Sequence, residues 1–217
     1  MVHRAQALPK RLQVRYRIWL ETIHASHKVQ FKALADLGQD PLEMVIACCD
    51  SRVHVTSIFG AESGEMFVHR NVAALVPPYE PDGAHHGTSA AIEYAVQVLK
   101  VRNIIVMGHS QCGGVEGCYR MCSGEAPDLL EQASFVGRWM DLLRRGYERL
   151  PEDAPEAERI ARLEKEAVLV SIENLLTYPF VVEAVEDQRT SVHGLWIDIA
   201  EGRMEAYEPA SRSFVSI

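Results

Sequence analysis

The chain has 217 residues, with 22 Lys and Arg against 30 Asp and Glu, a net charge of −8. That length suits one domain of ordinary size, and so acidic a chain lacks the basic face that nucleic acid or an anionic membrane requires. No apolar run approaches the ~20 residues that cross a bilayer, and the first residues lack the apolar centre of a secretory signal, so a soluble, cytoplasmic protein is expected.

In chain order, residues 11–37 read as a helix with a basic start, and Gly38-Gln39-Asp40-Pro41 breaks it. An apolar strand, Met44 to Ala47, then runs into Cys48-Cys49-Asp50-Ser51-Arg52. If the chain stays extended there, the period of two puts Cys48, Asp50 and Arg52 on one face. Met66–Val68 predict a short second strand, and residues 77–87, rich in Pro, Gly and Asp, a loop that carries His85 and His86 as solvated histidines. Thr88 can cap a helix through Leu99. A third apolar strand from Asn103 leads to Gly108-His109-Ser110-Gln111-Cys112-Gly113-Gly114, where the glycines open another helix. Ser123–Asp128 read as a polar turn, 134–149 and 156–187 as helices, the latter interrupted at Pro179. Ser191–Ile199 and Met204–Tyr207 predict a hairpin turning at Glu201-Gly202. Strands alternating with helices, then a hairpin, predict the α/β class: a mostly parallel sheet flanked by helices, with an antiparallel edge strand. Residues 1–38 are expected as a helical arm on one domain completed by 39–217.

Five cysteines, two of them adjacent, do not make a disulfide framework, and metal ligation in a reducing compartment suits them better. His109 and Cys112 sit three apart on a strand-to-helix turn, so both can reach one point. With Cys48 they offer two thiolates and an imidazole, a donor set suited to zinc, and leave a fourth position for water or for Asp50. The amino end of a helix helps keep Cys112 as thiolate. Arg52 would decide the role of Asp50, since a bidentate pairing holds the carboxylate away from a metal. Cys118 and Cys122, four apart on a helix, read as small apolar packing residues.

Taken together, Cys48-Cys49-Asp50-Ser51-Arg52 and, about sixty residues on, His109-Ser110-Gln111-Cys112-Gly113-Gly114 resemble the motifs of the β-class carbonic anhydrases. The resemblance takes in Gly64–Asn71, Val76–Tyr79 and Ala91–Ala95, and is strong over residues 30–125. It implies one Zn2+ per chain and reversible hydration of carbon dioxide to bicarbonate, through a zinc-bound hydroxide oriented by Asp50 and Arg52. It also implies a homodimer or dimer of dimers in which N-terminal helices embrace a partner subunit. Gln39 would donate its amide to the substrate, Gly113 its N–H to bicarbonate, and Phe67, Val72 and Tyr94 would form an apolar wall, Phe67 and Tyr94 coming from the partner. A subset of the family has an inhibitory bicarbonate site built on a Trp and a Tyr. Val45 and Ile197 stand at those positions here, with Arg70 retained, so a site open to water is expected. Cys49 replaces a usual Ser or Ala, and Ala74 a frequent Asn. Rival readings are hydrolysis of carbonyl sulfide or carbon disulfide on the same scaffold, a non-catalytic zinc module closed by Asp50, and a thiol enzyme using Cys112 with His109.

Overall fold

The computed structural model describes residues 5–82, 86–130 and 135–217. The chain divides into two compact units, Met1–Asp40 and Pro41–Ile217.

The first unit is helical but not one continuous helix. Helix α1 (Lys10–Trp19) begins behind Pro9, passes into a π turn over Leu20–His24, and is followed by α2 (Lys28–Leu37), which stops at Gly38 in a left-handed conformation. The expected helix over 11–37 is broken because hydroxyls compete for its carbonyls. Thr22 donates to the Ile18 carbonyl (2.6 Å) and Ser26 to that of Thr22 (2.8 Å), and His27 leaves the helical region at φ −110°. Trp19, His24 and Phe31 close on one another at this corner, with ring centroids 5.1–5.7 Å apart. Neither helix nor the π turn buries a residue.

The second unit runs β1 (Glu43–Cys48), α3 (Val55–Ile58), β2 (Met66–Asn71), α4 (His86–Glu93), β3 (Asn103–His109), α5 (Gly113–Ser123), α6 (Phe135–Met140), α7 (Arg144–Glu148), α8 (Glu156–Leu175), α9 (Pro179–Glu186), β4 (Ser191–Ile197), β5 (Met204–Glu208) and β6 (Ser213–Ser216). The sheet order is β2-β1-β3-β4-β5-β6. The first four strands are parallel, as helical crossovers demand, and the last two add an antiparallel edge. Strand β6, short and mostly exposed, goes beyond the expected hairpin. Met44 to Ala47 are fully buried because the sheet is covered on both faces. Val76, Ile92, Leu175 and Tyr178 pack with Met44 and Ile46, while Val53, Val55 and Met107 pack with Val45 and Ala47.

Two helical expectations are corrected. The helix after the 77–87 loop begins at His86, two residues before Thr88, and passes into a π turn over Tyr94–Leu99. Thr88 is therefore not its cap; its hydroxyl instead meets His69 Nε2 at 3.0 Å. The segment expected over 134–149 is split by a 3-10 turn at Asp141–Leu143. His85 and residue 134 lie outside the described residues.

Helix α8 lies close against β3 and β4 because two glycines face it. A Cβ on Gly108 would sit 2.8 Å from Val168 Cγ2, and one on Gly194 would sit 2.9 Å from Val168 Cγ1. Among the described residues no single helix is both long and apolar enough to cross a membrane; α8 and α9 meet both conditions only when joined across a 90° bend.

Candidate metal centre

Both halves of the centre are loops at the carboxyl edge of parallel strands, where open α/β sheets leave room for ligands. Strand β1 ends at Cys48, and the chain then turns, with Val53 N–H donating to the Asp50 carbonyl (3.0 Å). Asp50 and Arg52 thus meet through a turn, not through the strand alternation expected from the sequence. The pairing is a fork: Arg52 Nε donates to Asp50 Oδ1 (3.0 Å) and Nη2 to Oδ2 (2.7 Å), while the Arg52 backbone N–H also reaches Oδ1 (2.9 Å). These donors hold the Asp50 carboxyl well below the usual carboxylate range. From β2, Arg70 donates to three carbonyls of the same loop, those of Cys48 (2.9 Å), Asp50 (2.7 Å) and Val53 (2.8 Å).

The second loop follows β3. Ser110 N–H donates to the Ile197 carbonyl (2.9 Å), Gln111 adopts a left-handed φ of 54°, and Cys112 stands at the amino end of α5. Arg52 Nη2 also donates to the Gln111 carbonyl (2.9 Å), tying the loops together. His109 Nδ1 bonds the Ser110 carbonyl at 2.9 Å, so Nδ1 carries the hydrogen and Nε2 keeps its lone pair. That Nε2 is buried and has no hydrogen-bond partner.

A metal ion shared with Cys48 Sγ and Cys112 Sγ would give this orphaned nitrogen a partner. The three residues form a buried group whose ligand atoms all lie within 4.8 Å of one another. The sulfurs are 4.0 Å apart; two thiolates on one tetrahedral zinc would be about 3.8 Å apart, given Zn–S near 2.3 Å. Asp50 is not part of the group, in keeping with its capture by Arg52. Hydrogen bonding from the Cys112 thiol lowers the pKa of Cys48 to about 4, helped by the backbone N–H groups of Asp50 and Ala73, and the same contact pushes Cys112 up. Burial opposes charge on His109, but the neighbouring Cys48 and the Ser110 carbonyl raise its pKa on balance. Two soft thiolates and an imidazole at this spacing suit a borderline divalent ion.

Ala73 and Ala74 are both left-handed, at φ 64° and 56°. For alanine each such residue costs about 1–2 kcal/mol. The strain is stored beside the metal group, where the Ala73 backbone favours the thiolate of Cys48. Asn tolerates this region better than Ala, which gives a physical meaning to the Asn that Ala74 replaces.

Of the other expected site residues, Val72 lies nearest the loops: a Cβ on Gly114 would come within 2.9 Å of Val72 Cγ1. Val72 also borders a cavity of about 630 Å³ with Cys49, Arg70, Phe135, Val136 and Trp139, which includes none of the three ligands. Gly113 heads α5, and a Cβ there would touch nothing, so its place leaves open space. The Phe67 and Tyr94 rings meet at a tilt, 5.9 Å between centroids, but the chain does not bring them to its own metal group. Phe67 pairs with Met44, about 13 Å along β1 from Cys48 at 3.3 Å per residue. Gln39 belongs to the first unit and is exposed. Cys118 is fully buried and Cys122 half-buried in the cluster around α5, which agrees with packing roles.

Two residues escaped the sequence reading. Arg70 looked like the remnant of an anion site, yet its guanidinium is occupied by three carbonyls. Glu164 on α8 is only 4% exposed, with burial raising its pKa against the N–H groups of Cys112 and Gln111. Its signal was an acid set four residues from Ile160 and Val168 on an otherwise apolar stripe.

Comparison with known proteins agrees with this geometry. Residues 43–204 match the family model described as Carbonic anhydrase. The chain is 40% identical to Carbonic anhydrase of Pseudomonas aeruginosa over 189 residues, 86% of this chain and 82% of that protein. It is 38% identical to Beta carbonic anhydrase 3 of Arabidopsis thaliana over 79% of this chain, spanning 66% of that protein's length. The solved structure of the beta-carbonic anhydrase CcaA is similar with a TM-score of 0.87 at 32% identity, over 96% of this chain and 91% of that one. On the family model, these relatives and the fold they share, the chain belongs to the β-class carbonic anhydrases.

Proposed function

We propose that the chain catalyses the reversible hydration of carbon dioxide, CO2 + H2O giving HCO3− and H+, with one zinc ion held by Cys48, His109 and Cys112. The observation that carries this reading is the buried convergence of three ligand atoms, one of them an orphaned imidazole nitrogen, beside an aspartate that an arginine keeps out of the group. Zinc(II), when bound, supplies the Lewis acidity that makes water a usable nucleophile; two thiolates offset its charge, so hydration is expected to rise on the alkaline side of neutrality.

The residues divide the remaining work. Asp50, kept ionised by Arg52, is an acceptor only, so it takes a hydrogen bond from the reacting water and turns a lone pair towards the substrate carbon. Arg52 holds that acceptor and, through the Gln111 carbonyl, its distance from the second loop. Val72 gives carbon dioxide an apolar surface, and Gly113 a backbone N–H for bicarbonate. Gln39 would complete the substrate contacts as an amide donor, with Phe67 and Tyr94 closing the wall from a second subunit. Because Val45 and Ile197 stand where an inhibitory bicarbonate site would need Trp and Tyr, the Asp50–Arg52 pair stays intact at neutral pH. A crystal grown at that pH with Asp50 on the zinc would contradict this.

Self-association is supported by the 1–38 arm, which presents Ile18, Trp19, Ile23 and Val29 and buries none of them. A domain formed by 39–217 with this arm, assembled as a dimer or dimer of dimers, is the arrangement proposed. Five free cysteines suit a reducing compartment, and the cytoplasm is proposed on that ground.

The test is stopped-flow carbon dioxide hydration across pH, with zinc measured on the same sample. A fully metallated but inert protein would overturn the proposal in favour of a non-catalytic module. Faster turnover of carbonyl sulfide or carbon disulfide in the same assay would reassign the substrate.

A further inference from the structure

The peptide link between Gln111 and Cys112 is held at both ends by side chains of opposite charge. Its carbonyl oxygen accepts from Arg52 Nη2 at 2.9 Å. Its N–H, that of Cys112, donates to Glu164 Oε1 at 3.4 Å. Arg52 comes from the first loop and is itself paired with Asp50. Glu164 comes from the buried side of α8, which approaches this closely because Gly108 has no Cβ; one placed there would lie 3.3 Å from the Glu164 carbonyl oxygen. A chain of polar contacts therefore runs Asp50, Arg52, the 111–112 peptide, Glu164, and crosses the backbone of a metal ligand on the way.

We propose that Glu164 is a positioning residue for the carbonic anhydrase reaction: its carboxylate fixes the rotation of the Gln111–Cys112 peptide. That rotation sets the direction of Cys112 Sγ towards the metal and the angle at which the Gln111 carbonyl receives Arg52. If the peptide tips, the sulfur leaves its tetrahedral corner, and Arg52 must choose between Gln111 and a square pairing with Asp50. A buried acid with no donor in reach would cost several kcal/mol and be poorly suited to a core stripe; the Cys112 N–H at 3.4 Å gives it a partner there. Outer partners of this kind typically carry roughly 10–100-fold in metal affinity or activity.

The inference rests on the metal reading of Cys48, His109 and Cys112, and the experiment separates the two. Zinc affinity is measured by chelator competition, cobalt(II) is substituted for its visible spectrum, and hydration is expressed per bound zinc. Glu164→Leu removes the acceptor, Glu164→Asp withdraws it by one methylene, and Glu164→Gln keeps one acceptor oxygen. Val168→Ala, one turn along α8 and packed against Gly108 and Gly194, reports a packing defect alone. The expected order of zinc affinity is wild type, then Glu164→Gln, then Glu164→Asp and Glu164→Leu, the last weaker by roughly 10–100-fold. The cobalt spectrum should shift in the same order, and Val168→Ala should lower only the unfolding midpoint. If Glu164→Leu does not fold, Glu164→Asp decides the matter: wild-type zinc affinity and cobalt spectrum in that variant overturn the proposal. A wild-type chain that binds neither metal sinks the metal reading, and this inference with it.

Discussion

The two loops that meet at the metal group perform the same task by different physical means. The loop after β1 is stitched from outside, by the guanidinium groups of Arg52 and Arg70 reaching a carboxylate and three carbonyls near solvent. The loop after β3 is pressed from inside, by a helix that sinks into two glycines and presents one buried acid. Charge placed near water can be rearranged at small cost, whereas a packed helix cannot move without opening the core. The first loop is therefore the adjustable half of the centre, and the second is its fixed reference.

The largest test treats the halves alike. Cys48→Ser and Cys112→Ser should each lose tight metal binding, and hydration should fall by more than about a thousandfold, a small part of a typical enzymatic acceleration. Unequal losses, with one variant still metallated, would break the symmetry of the ligand set. Next comes Arg52→Lys, which keeps the charge and loses the fork. Roughly a 10–100-fold fall in turnover is expected with zinc content unchanged, and a variant that keeps full turnover would show that charge alone suffices.

Two packing variants sharpen the contrast further. Gly108→Ala forces a Cβ to within 2.8 Å of Val168 and should cost about 1–3 kcal/mol across the whole second unit, read as a lower urea midpoint. Arg70→Met should leave that midpoint nearly in place and raise amide exchange only over Asp50–Val53. Equal global losses from both would erase the distinction between stitched and pressed loops.

The smallest expected effect is on pH dependence. Burial lowers the pKa of His69, on β2, from 6.5. As pH falls through 6.5 the unfolded chain takes up this proton before the folded one. The contribution of His69 is thus intact above that pH and is lost as pH falls through the lower, folded value. His69→Gln should flatten the stability slope as pH falls below about 7, and an unchanged slope would assign acid sensitivity to other groups.

The contrast also explains what could be read without coordinates. Apolar strands ending in Cys48 and in His109 announced the sheet edge, because buried parallel strands leave an unbroken apolar run. The meeting of Cys48, His109 and Cys112 in one group able to hold a metal followed from residue type and spacing. Arg70 and Glu164 did not, because guanidinium-to-carbonyl bonds and a helix's approach to a distant loop depend on tertiary placement that no local pattern encodes. Thr88 was misjudged for the opposite reason: a good cap residue was claimed by His69 and Asn71 of strand β2. The break at His27 was missed because helix propensity carries no record of hydroxyls competing for carbonyls.

That break has one more consequence. Short helices with no interior are marginal in water and gain order from whatever covers them. Trp19 sits at the corner, 39% exposed, whereas Trp196 is 6% exposed in the sheet. If the arm meets a partner subunit as proposed, the solvent-lit indole of Trp19 would gauge assembly. Diluting the protein should redden its fluorescence and loosen the elbow together, at a concentration that reads out how tightly subunits hold each other.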